Sequence, residues 1–394
     1  MRAVEEVVPE DGLARLLRLA QAEQRPLRVK LGIDPTASDV HLGFAVVLRK
    51  LRQFQDLGHI ACLVIGDFTA TIGDPSGRSK TRPILTRDQV VEHVRSYEQQ
   101  LYKILDRDRT EILYNSDWLG TMRFSDVVAL ASRYTVARLL ERDDFSKRFA
   151  ARQPIFVHEL MYPLCQGHDS VMIRADIELG GTDQKFNNLV GRDLQRNAGQ
   201  DPQVVMLMGL LVGTDGVEKM SKSLGNYVGI DEAPAEQFGK LMSIPDDLIG
   251  HYFELASDVP MDEISRMAAR REDGSEHPMD AKVSLARRVV AMYHGVEAAD
   301  RAEAEFTSVV RERNTPDDMP EVDVTGVEGH EIWIVRLLSL AGFSSSNREA
   351  RQLVEQGAVS IDGVRVADPS AQVRPAHGSV LKVGKRRFAR ITRS

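Results

Sequence analysis

Leu27-Arg28-Val29-Lys30-Leu31-Gly32-Ile33 opens the segment that decides the fold: it reads as a strand, followed by a turn-rich stretch at Asp34–Asp39. Phe44, Val47, Leu48, Leu51, Phe54 and Leu57 then recur at helical spacing, and Gly58 supplies a stop. Ile60–Ile65 is a short β-branched and apolar strand, bounded by Gly66. Strand, helix and strand in that order make a βαβ unit, which implies a parallel pair joined by a right-handed crossover. Glu111–Tyr114, Ile177–Leu179 and Val204–Met208 read as further strands, and Phe124–Leu140 and Gln184–Arg196 as helical stretches. The expected fold class is therefore α/β, an open parallel sheet whose ligands bind beyond the carboxyl ends of the strands.

Beyond Gly229 the pattern changes to helices broken at Ile244–Asp247 and Glu272–Pro278, and Thr315–Gly329 has the Pro, Asp and Gly content of a linker. A last unit begins near Ile332 with a helical pair, Ile334–Leu340 and Ser346–Gln356, and continues as short strands broken at Asp362–Gly363 and Asp368–Pro369. The expected domains are thus residues 1–229, an α-helical domain at 230–325 and a small α+β domain at 330–394. A chain of 394 residues suits two or three domains. Its 42% hydrophobic and 28% charged content is that of a soluble globular protein. No apolar run is long enough to span a membrane, and Met1–Glu10 lacks the apolar region of a signal peptide. Only Cys62 and Cys165 are present, so a disulfide or zinc framework is not expected and the setting reads as a reducing cytoplasm. Ala341–Ser394 carries ten Lys and Arg against four Asp and Glu, a balance of +6 that leaves −13 on the remainder of a chain of net charge −7. An acidic body with a basic tail points to a nucleic-acid contact through the tail.

Two loops carry the chemistry. Gly32-Ile33-Asp34-Pro35-Thr36 and His41-Leu42-Gly43-Phe44 lie between a strand's carboxyl end and a helix start, where free backbone N–H groups and the helix dipole favour phosphate. Gly43 lets the backbone approach a nucleotide, and Thr36 and His41 can hydrogen-bond its phosphates. Lys219-Met220-Ser221-Lys222-Ser223, flanked by Gly213, Gly216 and Gly225, sets two ammonium groups and two hydroxyls on one loop, which suits a departing pyrophosphate. Elsewhere, Tyr162, Gln166 and Asp169 fall on one helical face.

In this order the loops resemble the two ATP motifs of class I aminoacyl-tRNA synthetases, and more closely those of bacterial tyrosyl-tRNA synthetases, over Leu27 to Arg390. The resemblance implies a Rossmann-like catalytic domain, a helical anticodon-binding domain and a C-terminal RNA-binding domain similar to one found in ribosomal proteins. It implies ATP contacts at Gly32, Asp34, Gly43, Phe44, Gly181, Asp183, Met220, Ser221 and Ser223. Thr36, His41, Arg78, Arg82, Lys219 and Lys222 would act on the phosphates, with Mg²⁺ accompanying the ATP. The tyrosine would meet Lys30, Asp34, Asp74, Tyr162, Gln166, Asp169 and Gln184; Asn115 reads equally as a pocket residue or a helix cap. Asp169 would accept the phenol hydroxyl, while Tyr162, Gln166 and Asp74 meet the ammonium. Arg348, Arg351, Lys382, Lys385, Arg386 and Arg387 are candidates for RNA phosphate contacts. The partners implied are tRNA(Tyr) and a second copy of the chain, with Phe124–Leu140 at the dimer interface.

The sequence departs from the family at Phe44, where a second histidine usually closes the first ATP loop, and at Lys30 and Leu31, where some members have Tyr and Cys. Two other readings fit parts of the chain: activation of another aromatic amino acid, and an RNA-binding or splicing paralogue with weakened adenylation. The tyrosine set opposes the first; the retained Lys219 and Lys222 oppose the second.

Overall fold

The computed structural model describes residues 1–34, 39–74, 97–308, 319–324, 331–384 and 387–392. They fall into two compact units, Met1–Ala299 and Asp300–Ser394.

The first unit is organised by strands β1 (Val4–Val8), β2 (Arg28–Ile33), β3 (Ile60–Ile65), β4 (Thr110–Tyr114), β5 (Ile177–Gly181) and β6 (Val204–Met208). They form one sheet in the order β1-β6-β5-β2-β3-β4. All neighbours are parallel except β1, which pairs antiparallel with β6 at the edge. From β2 the chain builds outward through β3 and β4, then returns to add β5 and β6 on the other side. The switch point therefore lies between β2 and β5, the place where an open α/β sheet opens a crevice for ligand. Covered on both faces, parallel strands read as continuous apolar runs, and every residue of β6 is buried. The Leu42–Asp56 helix buries Leu42, Ala45, Leu48, Leu51 and Phe54, and Gly58 adopts the positive φ of 93° that ends the turn. Two residues of the expected apolar stripe lie outside that core: Leu57 is 68% exposed, and Phe44 stays half-buried at the cleft.

Local chemistry shifted several boundaries. Phe124–Leu140 is two short helices, Phe124–Ala131 and Val136–Leu139, because extended Thr135 restarts the helix with its hydroxyl accepting the Arg138 N–H at 3.2 Å. The helix expected from Gln184 begins at Lys185, after a tight turn at Thr182–Gln184. Strand β1 carries no clear alternation of its own and was not expected.

Helices Pro234–Met242, Ile249–Ala256, Met261–Glu272 and Pro278–His294 pack within the first unit, so the helical region is continuous with the sheet body up to Ala299. Pro234 and Pro278 sit in first turns, where the missing N–H costs nothing. One tie is the Arg2 guanidinium, which donates to the carbonyls of Phe253, Glu254, Ser257 and Val259 around the end of the Ile249–Ala256 helix.

The second unit has a five-stranded sheet in the order β10-β9-β12-β13-β7 and a pair β11-β8. Their ranges are β7 Glu321–Asp323, β8 Ile332–Trp333, β9 Val359–Ile361, β10 Val364–Arg365, β11 Gln372–Val373, β12 Val380–Val383 and β13 Arg387–Thr392. Helices Ile334–Leu340 and Asn347–Glu355 pack Leu337, Leu338, Ala350 and Val354 against Leu381, Ala389 and Ile391. Ser346 caps the second helix, its hydroxyl accepting the Glu349 N–H at 3.2 Å. Asp362 and Gly363, both at positive φ, turn β9 into β10.

Candidate active site

A cleft of about 320 Å³ opens at the carboxyl ends of β2 and β5. Its floor depends on Gly66, where a Cβ would lie 2.1 Å from Asp34 Oδ1 and 2.3 Å from Thr69 Oγ1. Asp34 accepts from Thr69 Oγ1 at 2.8 Å and from the Tyr162 hydroxyl at 2.7 Å. Thr69 in turn accepts the Asn115 amide at 3.1 Å, and that amide also reaches Asp169 Oδ2 at 3.4 Å. The Trp118 indole donates to Asp169 Oδ1 at 2.8 Å. Asp169 is 3% exposed, and burial pushes its carboxyl up to about 7, against the lowering influence of Lys30 and of these two donors. A buried acceptor with both oxygens held in place can read a hydroxyl at the end of a ligand.

The amide of Gln166 borders this acceptor, donating to Asn188 Oδ1 at 3.0 Å. Buried Asp74 receives Gln184 Nε2 at 3.1 Å and the Arg142 guanidinium at 3.4 Å, and Arg142 also holds Asp144 at 2.8 Å. A carboxylate so placed can meet a ligand ammonium. Tyr162, Gln166, Asp169, Asp74, Asn115 and Gln184 thus line one cleft. Lys30 does not line it. Fully buried, its ammonium pairs with Glu178 at 2.8 Å, because a charge at that depth needs an opposite one.

At the other end, His41 caps the Leu42–Asp56 helix with Nδ1 accepting the Phe44 N–H at 3.3 Å. Burial, Lys222 and Lys219 press its pKa down to about 4, so at neutral pH the ring is uncharged and carries its proton on Nε2. Gly43 joins the two loops: its N–H points at Met220 Sδ at 3.3 Å, and a Cβ there would crowd His41 and Met220. Met220 is buried, while Asn226 pins the second loop by accepting the Ser221 N–H at 2.8 Å and donating to Asp215 at 2.7 Å. Lys219 pairs with Asp183 and Lys222 with Asp39, each at 2.5 Å. Lys219, Met220 and Ser221 line the cleft beside Gly32, Gly181 and Asp183; Lys222 and Ser223 stand outside its wall. Phe44 lines it with an edge-on contact to Tyr97 at 6.4 Å between centroids. Thr36, Arg78 and Arg82 lie outside the described residues.

Sequence reasoning passed over Trp118, Thr69, Arg142, Asn188 and Asn226. Trp118 had a readable signal, three positions after Asn115 on a single helical turn. Arg142 had none, since it meets Asp74 only through the fold.

In the second unit, Arg348 and Arg351 are exposed on the Asn347–Glu355 helix, with Arg351 over the Trp333 ring at 5.3 Å. Lys382 lies over Phe388 at 5.1 Å, and Arg387 donates to the Phe343 carbonyl at 2.7 Å. Lys385 and Arg386 lie outside the described residues. Among the described residues no group of three or more His, Cys, Asp or Glu could hold a metal ion, and no helix is long and apolar enough to cross a membrane.

Residues 21–311 match the model of the class I tRNA synthetases (W and Y), and residues 332–377 match the S4 domain. The chain is 53% identical over 390 residues to the tyrosine–tRNA ligase of Moorella thermoacetica, covering 99% of this chain and 94% of that one. It is 54% identical over 392 residues to that of Salinibacter ruber, with the same coverage of 99% and 94%. Among solved structures, the tyrosyl-tRNA synthetase of Archaeoglobus fulgidus complexed with L-tyrosine superposes with a TM-score of 0.62 at 22% identity, covering 77% of this chain and 97% of that one.

Proposed function

The chain belongs to the class I tRNA synthetases of the tryptophan and tyrosine type, among the tyrosine–tRNA ligases, and on that premise we propose how its cleft divides the work. It activates L-tyrosine with ATP to tyrosyl-adenylate and pyrophosphate, then transfers the tyrosine to tRNA. In the first step a tyrosine carboxylate oxygen attacks the α-phosphorus in line. The bond to the bridging oxygen breaks, and its electron pair leaves on pyrophosphate. In the second, a hydroxyl of the terminal ribose attacks the adenylate carbonyl and AMP departs. No covalent enzyme intermediate is needed; the protein supplies position and charge.

Asp169 accepts the phenol hydroxyl, Gln166 and Asp74 take the ammonium with Tyr162, and Gln184 meets the carboxylate. Asp183 holds the ribose. Neutral His41 donates from Nε2 to a phosphate oxygen, and Thr36, Arg78, Arg82, Lys219 and Lys222 meet the pyrophosphate as its charge develops. ATP arrives as its magnesium complex. The S4-type unit and the helices beyond Gly229 hold tRNA(Tyr), the former through Arg348, Arg351, Lys382 and Arg387 with neighbouring Lys385 and Arg386. Exposed Phe124, Val128 and Val136, at 83%, 51% and 58%, support a homodimer through that face, which would sediment at twice the 43.9 kDa of one chain. The working place is the cytoplasm.

The buried, doubly anchored Asp169 carries the tyrosine reading. Amino-acid-dependent ATP–pyrophosphate exchange tests it: tyrosine should support exchange, phenylalanine and tryptophan should not. Absence of exchange with all three from folded protein would defeat the enzyme reading, and equal exchange with phenylalanine would defeat the role of Asp169.

A further inference from the structure

Beneath the tyrosine end of the cleft lies a buried ion pair that the reaction does not touch. Lys30 and Glu178 are 0% and 1% exposed and 2.8 Å apart. The Lys30 ammonium also donates to the backbone carbonyl of Gln166 at 2.9 Å and to Ser170 Oγ at 2.7 Å. Ser170 Oγ donates onward to Glu178 Oε2 at 3.2 Å, and the Gln203 amide donates to the same oxygen. The remaining oxygen, Glu178 Oε1, receives Gln166 Nε2 at 3.5 Å, while Asn188 Oδ1 receives it at 3.0 Å. Buried ion pairs gain little net stability over apolar residues of the same volume, so a stabilising role alone is a weak reason for one here.

The consequence lies in the Gln166 amide, whose two ends are alike in shape and opposite in chemistry. Glu178 is a carboxylate and can only accept. It therefore fixes the NH₂ of Gln166 inward and leaves the carbonyl Oε1 for the cleft that Gln166 lines. An ammonium requires an acceptor there; a turned amide would present N–H groups to it. We propose that Lys30 and Glu178, with Asn188, are positioning residues that lock the Gln166 amide with its oxygen toward the substrate ammonium. Lys30 neutralises Glu178 so that the acceptor can exist at that depth, and by gripping the Gln166 carbonyl it fixes the backbone from which the amide hangs.

The inference rests on the tyrosine-activating reading of the cleft and is tested by two neutral double variants in pyrophosphate exchange. Lys30→Met/Glu178→Gln keeps an oxygen to accept from Gln166; the Gln203 amide, whose Oε1 has no partner, can turn to meet the new NH₂. Lys30→Met/Glu178→Leu keeps the charge balance and removes the acceptor. The first should hold the tyrosine KM within about threefold of the parent and the second should raise it about tenfold, with the ATP KM and kcat nearly unchanged in both. In a Gln166→Ala background the difference should vanish, which a merely structural pair would not produce. Equal tyrosine KM values for the two variants, or a difference that survives Gln166→Ala, overturns the proposal. If the leucine variant does not fold, Asn188→Leu removes the other acceptor without burying a charge. It should raise the tyrosine KM about threefold only while Gln166 is present, and no rise overturns the proposal. Parent protein without tyrosine-dependent exchange would instead defeat the reading of the cleft itself.

Discussion

The two ends of the cleft, proposed above for the amino acid and for the nucleotide, are built by opposite means. At the amino-acid end, Asp169, Asn115, Tyr162 and Asp74 are buried, and each is already held by a protein partner before substrate arrives. At the nucleotide end, close backbone approach at Gly43 is combined with two lysines whose counter-ions are partly exposed carboxylates. A buried acceptor discriminates because leaving it unpaired is costly, so its geometry must exist in advance. Charge that develops during the reaction is best met by groups whose strongest contact is made only then, and weak surface ion pairs release such groups at little cost. On the proposed reading, selectivity belongs to the fixed end and rate to the adjustable one.

Predictions follow from trying to exchange those roles. Lys219→Ala should lower kcat for adenylate formation by about 10²–10³-fold with a small effect on the tyrosine KM, measured by single-turnover adenylation, because the ammonium serves a charge present only in the transition state. A rise in tyrosine KM of similar size would place Lys219 on the selective end. Asp169→Asn should erode the preference for tyrosine over phenylalanine by roughly 100-fold, read as the ratio of kcat/KM in exchange. An unchanged ratio would mean that selection resides elsewhere.

Phe44→His adds a polar group at the adjustable end and should raise kcat for adenylation by about tenfold, the worth of one hydrogen bond to a charged ligand. An unchanged or lower rate would show the site to be built around the phenyl ring and its contact with Tyr97. Acidity tests the fixed end. With the Asp169 carboxyl pushed up to about 7, the free enzyme loses its anionic acceptor below that pH, so the tyrosine KM should climb toward tenfold per unit between pH 7 and 6. Asp169→Asn should flatten the climb. For folding the sign is opposite: the folded state holds this proton more tightly than the unfolded one, so stability from this group is lost as pH rises from about 4 toward 7.

What the sequence disclosed divides along the same line. The sheet was readable because β3 and β6 are unbroken apolar runs, β2 alternates apolar Val29, Leu31 and Ile33 with other residues, and the helix between β2 and β3 keeps a strict stripe. The cleft-facing set of Tyr162, Gln166 and Asp169 was readable because one helix spaces it. The supports were not: Trp118 at Asp169, Asn188 at Gln166 and Arg142 at Asp74 arrive from elements whose meeting is decided by tertiary packing. Lys30 was misplaced for a related reason. Alternation in β2 turns Leu31 and Lys30 to opposite faces, and adjacency to the ATP loop could not tell which face met the ligand. Strand β1 was missed because its apolar residues are half-buried at an edge, where a weak pattern suffices.

The smallest effect bears most directly on the contrast. Lys222 is held by Asp39, a carboxylate 45% exposed, with Tyr227 beneath the ammonium at 5.7 Å. An ion pair of that exposure is worth about 0–1 kcal/mol, which ATP would have to offset if its phosphates claim the lysine as proposed. Asp39→Asn removes the competitor and leaves the lysine, so the ATP KM should fall about two- to threefold with kcat and the tyrosine KM unchanged. Screening sharpens the same point: salt weakens the Asp39 contact, so the gap between parent and variant should narrow as ionic strength rises. A higher ATP KM in Asp39→Asn would mean that the carboxylate pre-aims Lys222 at the phosphates, and the nucleotide end would then be organised in advance like the other.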